Sequence, residues 1–148
     1  MNQVMDIKAA LLSALSPDLE GDNERILIEL FSDLGFAYPP RSATNIRLLA
    51  GQFPLEAIST VTCAALDSAM PDMALNNLER ISSIVPREEL YKVCCDQAKL
   101  AQLLALLGAS PFLTNIICRD PHAFTQLFTL AEVDIVRNEA GMIAALRA

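Results

Sequence analysis

Few residues in this 148-residue chain are of types that do chemistry, and their spacing argues against most of it. The only histidine, His122, follows Asp120-Pro121 in the first turn of a predicted helix. A general base there needs a nucleophile within reach and a third group to orient it, and the sequence nominates neither. His122 therefore reads as a surface residue of a capping turn. The carboxylate neighbours Glu88/Glu89 and Asp18/Glu20 lie too close along the chain to face each other across a cleft, as catalytic pairs must. They read as residues that favour a helix start and keep the chain soluble. The cysteines are Cys63, Cys94, Cys95 and Cys118, with no Cys-x-x-Cys among them. Adjacent Cys94 and Cys95 are poorly placed to chelate one metal together, so cysteine reads as a small apolar residue in a reducing compartment.

The turn Leu107-Gly108-Ala109-Ser110 invites comparison with the Gly-Ser turn of nucleotidyltransferases. That chemistry needs an Asp-x-Asp pair shortly afterwards to hold two magnesium ions on a triphosphate. Here Pro111, Phe112 and Leu113 follow, and Asp-x-Asp occurs nowhere in the chain. Neither a Walker loop nor a Gly-x-Gly-x-x-Gly motif is present. The turn reads instead as a helix stop at Gly108 and a helix cap at Ser110.

The elements that would position these residues are helices. Apolar residues make up 53% of the chain but aromatics only 5%, with no Trp, so the core is built from Leu, Ile, Ala and Met. That palette suits helices better than sheets. The net charge is −7 and the pI about 4.6. The isolated pairs Arg41/Arg47 and Arg80/Arg87 form no basic run, which argues against nucleic-acid binding. The N-terminus lacks the pattern of a secretory signal. The purely apolar run Leu103 to Leu107, which no other run exceeds, is far short of the roughly 18 residues of a membrane span,. The expectation is a cytoplasmic protein that neither crosses a membrane nor binds nucleic acid.

Apolar spacing predicts helices from Val4 to Leu15, and from Asp22 or Asn23 to Leu34 with Gly35 as its stop. Tyr38-Pro39-Pro40 reads as a connector, Ser42 as the next cap, and Gly51 as the close of a short helix. Pro54 fits the first turn of a helix running to about Met70, and Pro71-Asp72 restarts the chain. Leu75, Leu78, Ile81 and Ile84/Val85 form the following stripe. From Pro86 the pattern permits one long helix to Leu107 or two with Asp96 capping the second, and two are favoured. Phe112, Leu113, Ile116 and Ile117 then pack after Pro111, and Phe124, Leu127 and Phe128 after Asp120-Pro121. A last helix spans about Val136 to Arg147. No sustained alternation or hairpin signal occurs. The expectation is an all-α fold, an irregular bundle of about nine short helices in a single domain, residues 1–148.

Asn76 and Asn77 stand inside a predicted helix, where asparagine is a mediocre former. Such residues bond locally, face solvent, or reach across to a neighbouring helix or partner. Taken with its neighbours, Ala74-Leu75-Asn76-Asn77-Leu78-Glu79-Arg80 resembles a segment near the start of glutamine synthetase adenylyltransferases. Leu107-Gly108-Ala109-Ser110-Pro111-Phe112-Leu113 is similar to that family's next turn, and Cys118-Arg119-Asp120-Pro121 to the Arg-x-Pro beyond it. The order and spacing fit, and the likeness covers Ala74 to about Phe128. Residues 1–70 carry no part of it.

The resemblance implies the N-terminal helical region of an enzyme that attaches AMP to glutamine synthetase and removes it. In that family helices precede a nucleotidyltransferase catalytic domain that uses ATP and magnesium. The family answers to a small signalling protein that senses nitrogen status. No catalytic or metal residue can be carried over, because the chain lacks the catalytic Gly-Ser and Asp-x-Asp. It is either a front fragment of a longer enzyme or a shortened relative. Its expected partners are a following catalytic domain, glutamine synthetase or the signalling protein. Asn76, Asn77, Arg80, Ser110 and Arg119 are the expected contact residues, the arginines because a buried guanidinium forks onto a carboxylate or helix-end carbonyls. The alternative is a free-standing helical interaction module without enzymatic activity. The cap reading also predicts that Ser110→Ala costs about 1 kcal/mol, checked by thermal melting.

Overall fold

The computed structural model describes residues 3–15 and 23–128. Eight helices are bounded there: α1 (Gln3–Ala14), α2 (Asn23–Leu34), α3 (Pro39–Ala50), α4 (Leu55–Leu66), α5 (Pro71–Ser82), α6 (Arg87–Cys95), α7 (Gln97–Leu107) and α8 (Pro111–Arg119). A further helical stretch covers 122–128, and no strand occurs among the described residues. The fold is all-α, as the apolar spacing predicts. The helix expected from about Val136 to Arg147 lies outside the described residues, as do Ser16-Pro17 and the pair Asp18/Glu20.

α4 and α5 occupy the middle. α1 lies on α4, α3 on α5 and α2 on α3, while α7 packs against both central helices and meets α6 and α8 at its flanks. The buried apolar side chains from Ile7 to Phe128 form one cluster, mostly Leu, Ile and Ala. Leu75, Leu78 and Ile81 are at most 1% exposed, each contributing about 1.5–3 kcal/mol by leaving water. Of the pair Ile84/Val85, Val85 is the buried one. Phe112, expected to pack, is instead 72% exposed, and Leu12 and Leu48 also face outward. Two polar residues of α4 enter the core with their hydroxyls satisfied by the helix backbone, whereas Asn45 Nδ2 and Thr114 Oγ1 are buried without a partner. Ser59 and Thr62 are fully buried and donate to the carbonyls of Leu55 and Ile58, one turn back along α4,.

The helix ends are where sequence and structure differ most. α2 ends as the glycine rule predicts. Gly35 adopts φ +96°, its N–H donates to the Ser32 carbonyl, and the Phe36 N–H reaches the Phe31 carbonyl at 3.1 Å. That is the Schellman pattern, completed by edge-on contact between Phe31 and Phe36 at 4.7 Å,. α3, by contrast, begins at Pro39, three residues before the expected cap Ser42. Pro39 and Pro40 fill its first two positions, where a missing N–H costs nothing,. Ser42 is buried inside the helix.

The cap for α3 comes from elsewhere. Asp72, in the first turn of α5, accepts from the N–H groups of Ala37 at 2.8 Å and Tyr38 at 2.9 Å, and from the Ser42 hydroxyl at 2.8 Å. One carboxylate therefore sits at the positive ends of two helices. α4 stops at Leu66, short of the expected Met70, and Ser68 donates to the Ala65 carbonyl at 2.6 Å in the turn that follows. The break between α6 and α7 is real, because the Asp96 carboxylate accepts from the N–H groups of Ala98 and Lys99.

Two outcomes follow from these ends. Asp72→Ala lowers stability by about 2 kcal/mol, the sum of a lost cap and orphaned donors, measured by urea denaturation. Gly35→Ala costs about 1 kcal/mol in the same assay, because an L side chain is strained at that φ.

Candidate functional site

Of the expected contact residues, Asn77, Arg80 and Ser110 lie where α5 meets the end of α7 and α8, and Asn76 and Arg119 make no hydrogen bond there. Asn77 is 3% exposed, and its Nδ2 donates to the Leu107 carbonyl at 2.9 Å. That carbonyl belongs to the last turn of α7, which has no partner within its own helix. Asn77 thus bonds across helices. Its neighbour Asn76 is half-buried and makes no such bond.

Gly108 completes the joint. A Cβ built there would meet the Cβ and Oγ of Ser68 at 2.9 Å. The glycine is needed for this close approach between α7 and the α4–α5 turn, and not for an unusual φ, since φ is −82°. Arg80 is exposed and its Nη2 donates to Asn115 Oδ1 at 3.2 Å, linking α5 to α8. Neither arginine is buried as expected. Arg119 is an exposed residue in the last turn of α8, with no ion pair among the described residues. Ser110 does stand at the N-cap of α8, but its side chain makes no cap hydrogen bond. Pro111 already removes one N–H from that helix start, so the predicted cap energy of Ser110 is not there to lose.

Cys63, Cys94 and Cys95 line an open groove beside α4 and α7. A cavity of about 550 Å³ between α4 and α7 is lined by Thr60, Cys63, Asp67 and Gln97, among others. A second of about 360 Å³ shares Thr60 and Gln97 with it and is lined by Glu56, Tyr91, Cys94 and Cys95. Phe53 and Tyr91 stack at 6.2 Å at the far end. Cys94 is buried, and burial first, then the neighbouring Cys95, pushes its thiol from the ordinary 9.0 to about 12. Cys63 is raised by burial and by the charge of Asp67. A hydrogen bond with Cys95 leads the causes that raise the Tyr91 hydroxyl. Neither Cys63 nor Cys94 is an activated nucleophile, which requires a lowered pKa,. Among the described residues no group of three or more His, Cys, Asp or Glu is placed to hold a metal.

His122 is exposed, and its N–H donates to Asp120 Oδ1 at 3.1 Å, as a capping turn requires. Glu89 accepts from the Thr125 hydroxyl at 2.7 Å, an interhelical bond that the sequence reading did not anticipate. Asp72, Asn115 and Ser68 were likewise missed. Their partners lie 30 or more residues away along the chain, and nothing in the local pattern marks them. Among the described residues no single helix is long and apolar enough to cross a membrane. No family model, curated protein or solved structure matches the chain.

The joint and the thiols give separate tests. Asn77→Ala and Gly108→Ala each destabilise by about 1–3 kcal/mol in chemical denaturation, whereas Ser110→Ala changes stability by less than about 0.5 kcal/mol. Stability also depends on pH through Cys94. Its folded pKa is raised, so its contribution is complete below about pH 9 and is lost as pH climbs toward 12,. Cys94→Ala flattens that alkaline fall in the denaturation midpoint.

Proposed function

We propose that this chain is a non-catalytic helical domain of a glutamine synthetase adenylyltransferase-like protein. In this reading it scaffolds a following catalytic domain and contacts glutamine synthetase or the nitrogen-signalling protein in the cytoplasm. ATP and magnesium belong to the catalytic domain and not to these helices. The observation that carries the reading is the convergence of the family-like segments. Asn77 on α5 holds the end of α7, Gly108 seats that end against Ser68, and Arg80 reaches Asn115 on α8. Residues drawn from separate stretches of the resemblance thereby make one structural joint, the behaviour of a scaffold and not of an active site.

A free-standing interaction module is the second reading, favoured by the open groove along α4 and α7. In either case the chain performs no adenylyl transfer. Incubated with glutamine synthetase, magnesium and ATP labelled at the α-phosphate, the pure chain leaves glutamine synthetase unlabelled. Binding to immobilised glutamine synthetase and to the signalling protein is measured in parallel. Incorporation of label overturns the non-catalytic reading, and absence of binding to both removes their direct contact with this chain.

A further inference from the structure

We infer that the groove between α4 and α7 is the seat of a basic amphipathic helix from a protein partner. The two walls run in the same direction. Gly108, just past α7, lies against Ser68, just past α4, while Thr60 and Gln97 face the same cavity nearer the other end. Thr60 and Gln97 also line the second cavity, which reaches Tyr91.

The wall surface is unlike an ordinary solvated helix. Ala98, Ala101 and Ala105 are exposed at a spacing of i, i+3 and i+7, and Lys99 is the only charged residue in α7. A surface helix normally places charge on its outer face. An alanine seam instead lets another backbone approach closely, as in tightly packed helix pairs. This seam borders a real cavity and does not stand alone on a convex face.

Charge selects the occupant. Glu56 lines one end and Asp67 the other, and no described Lys or Arg lines either of the two cavities, which share Thr60 and Gln97. These acids are eleven positions apart in the sequence, about 16 Å or three turns along the helix,. Lys8 approaches Glu56 at 3.9 Å, but both side chains are well exposed, so that pair is weak and readily exchanged. A partner helix with two Lys or Arg residues three turns apart, and small or Leu residues facing inward, meets both acids at once. Its direction is also set. The negative ends of α4 and α7 both lie beside Asp67, so the partner's N-terminus belongs there, antiparallel to the two walls. The inference holds under either functional reading; the groove meets the α5–α7–α8 joint at Ser68, and the partner is placed on the alanines beyond it.

The test uses the full chain and a labelled synthetic helix of about 15 residues. One face of the peptide is Ala/Leu and two lysines lie three turns apart. A second peptide replaces both lysines with glutamate. Fluorescence anisotropy is expected to give saturable binding of the lysine peptide, and at least about tenfold weaker binding of the glutamate peptide. Asp67→Asn weakens the lysine peptide by about threefold, and added salt weakens it further. Ala101→Arg abolishes binding while leaving the circular dichroism and melting temperature of the chain unchanged, since that position is exposed. No binding of the lysine peptide at about 1 mM chain, equal affinity for both peptides, or indifference to Ala101→Arg overturns the proposal. Sedimentation velocity supplies the remaining arm. A dimer that Ala101→Arg dissociates places a second copy in the groove and overturns the choice of partner. The glutamine synthetase measurements do not bear on any of these outcomes.

Discussion

Each end of a helix leaves backbone donors or acceptors unpaired, and a protein made of short helices has many such ends to satisfy. α5 does this for two of its neighbours. Asp72 in its first turn holds the start of α3, and Asn77 one turn further on holds the end of α7. These bonds fix direction and register as well as energy. Apolar stripes such as Leu75, Leu78 and Ile81 would tolerate sliding or rotation against a neighbouring helix. A carboxylate accepting three hydrogen bonds within 2.9 Å tolerates neither,. The central position of α5 therefore depends on polar groups at the edge of an otherwise greasy core.

The same principle separates the two sides of α7. On the side facing α5, the helix end is bonded by Asn77, and Gly108 just beyond it is pressed on Ser68 at the end of the groove. On the other side α7 shows alanines and a single charge, against α4 hydroxyls that bond back to their own helix: Thr60 donates to the Glu56 carbonyl at 3.0 Å. One face is locked by partners within the chain. The other is small, smooth and edged by acids. A single helix thus carries both the structural joint and a bare alanine face at the groove.

Much of the architecture was legible in the sequence, for identifiable reasons. The apolar stripes are long enough to define a helical period, so α2, α5 and α7 appear where spacing puts them. Gly35 and Asp96 act through neighbours a few residues away, and such local devices leave local signatures. α3 was misjudged because its cap is not local. Pro39-Pro40 reads as a connector when the eye sees no capping side chain at Tyr38, and the acid that does the capping lies 34 residues on. Ser110 failed in the opposite way, since the right residue stands in the right place without making the bond. Phe112 misled because periodicity marks a residue as apolar without saying whether the molecule has anything to lay over it. At the candidate site, Asn77 was legible as an oddity within a helix. Its target, a backbone carbonyl, has no side chain to betray it. The groove was invisible, because alanines on two separate helices mean nothing until the helices are side by side.

The distance between α3 and its cap has a consequence for how the chain is made. During synthesis α3 emerges well before Asp72, which follows Tyr38 by 34 residues. At about 5–20 residues per second, the ribosome takes roughly two to seven seconds to deliver it. For that interval the start of α3 has its prolines and no acceptor. The front half of the nascent chain can collapse around Phe31 and Phe36, but the start of its third helix has only water to accept from Ala37 and Tyr38 until Asp72 arrives. The growing protein therefore waits for its own middle before its beginning is complete, and a pause in translation between residues 38 and 72 would lengthen the exposure of an unfinished α2–α3 pair.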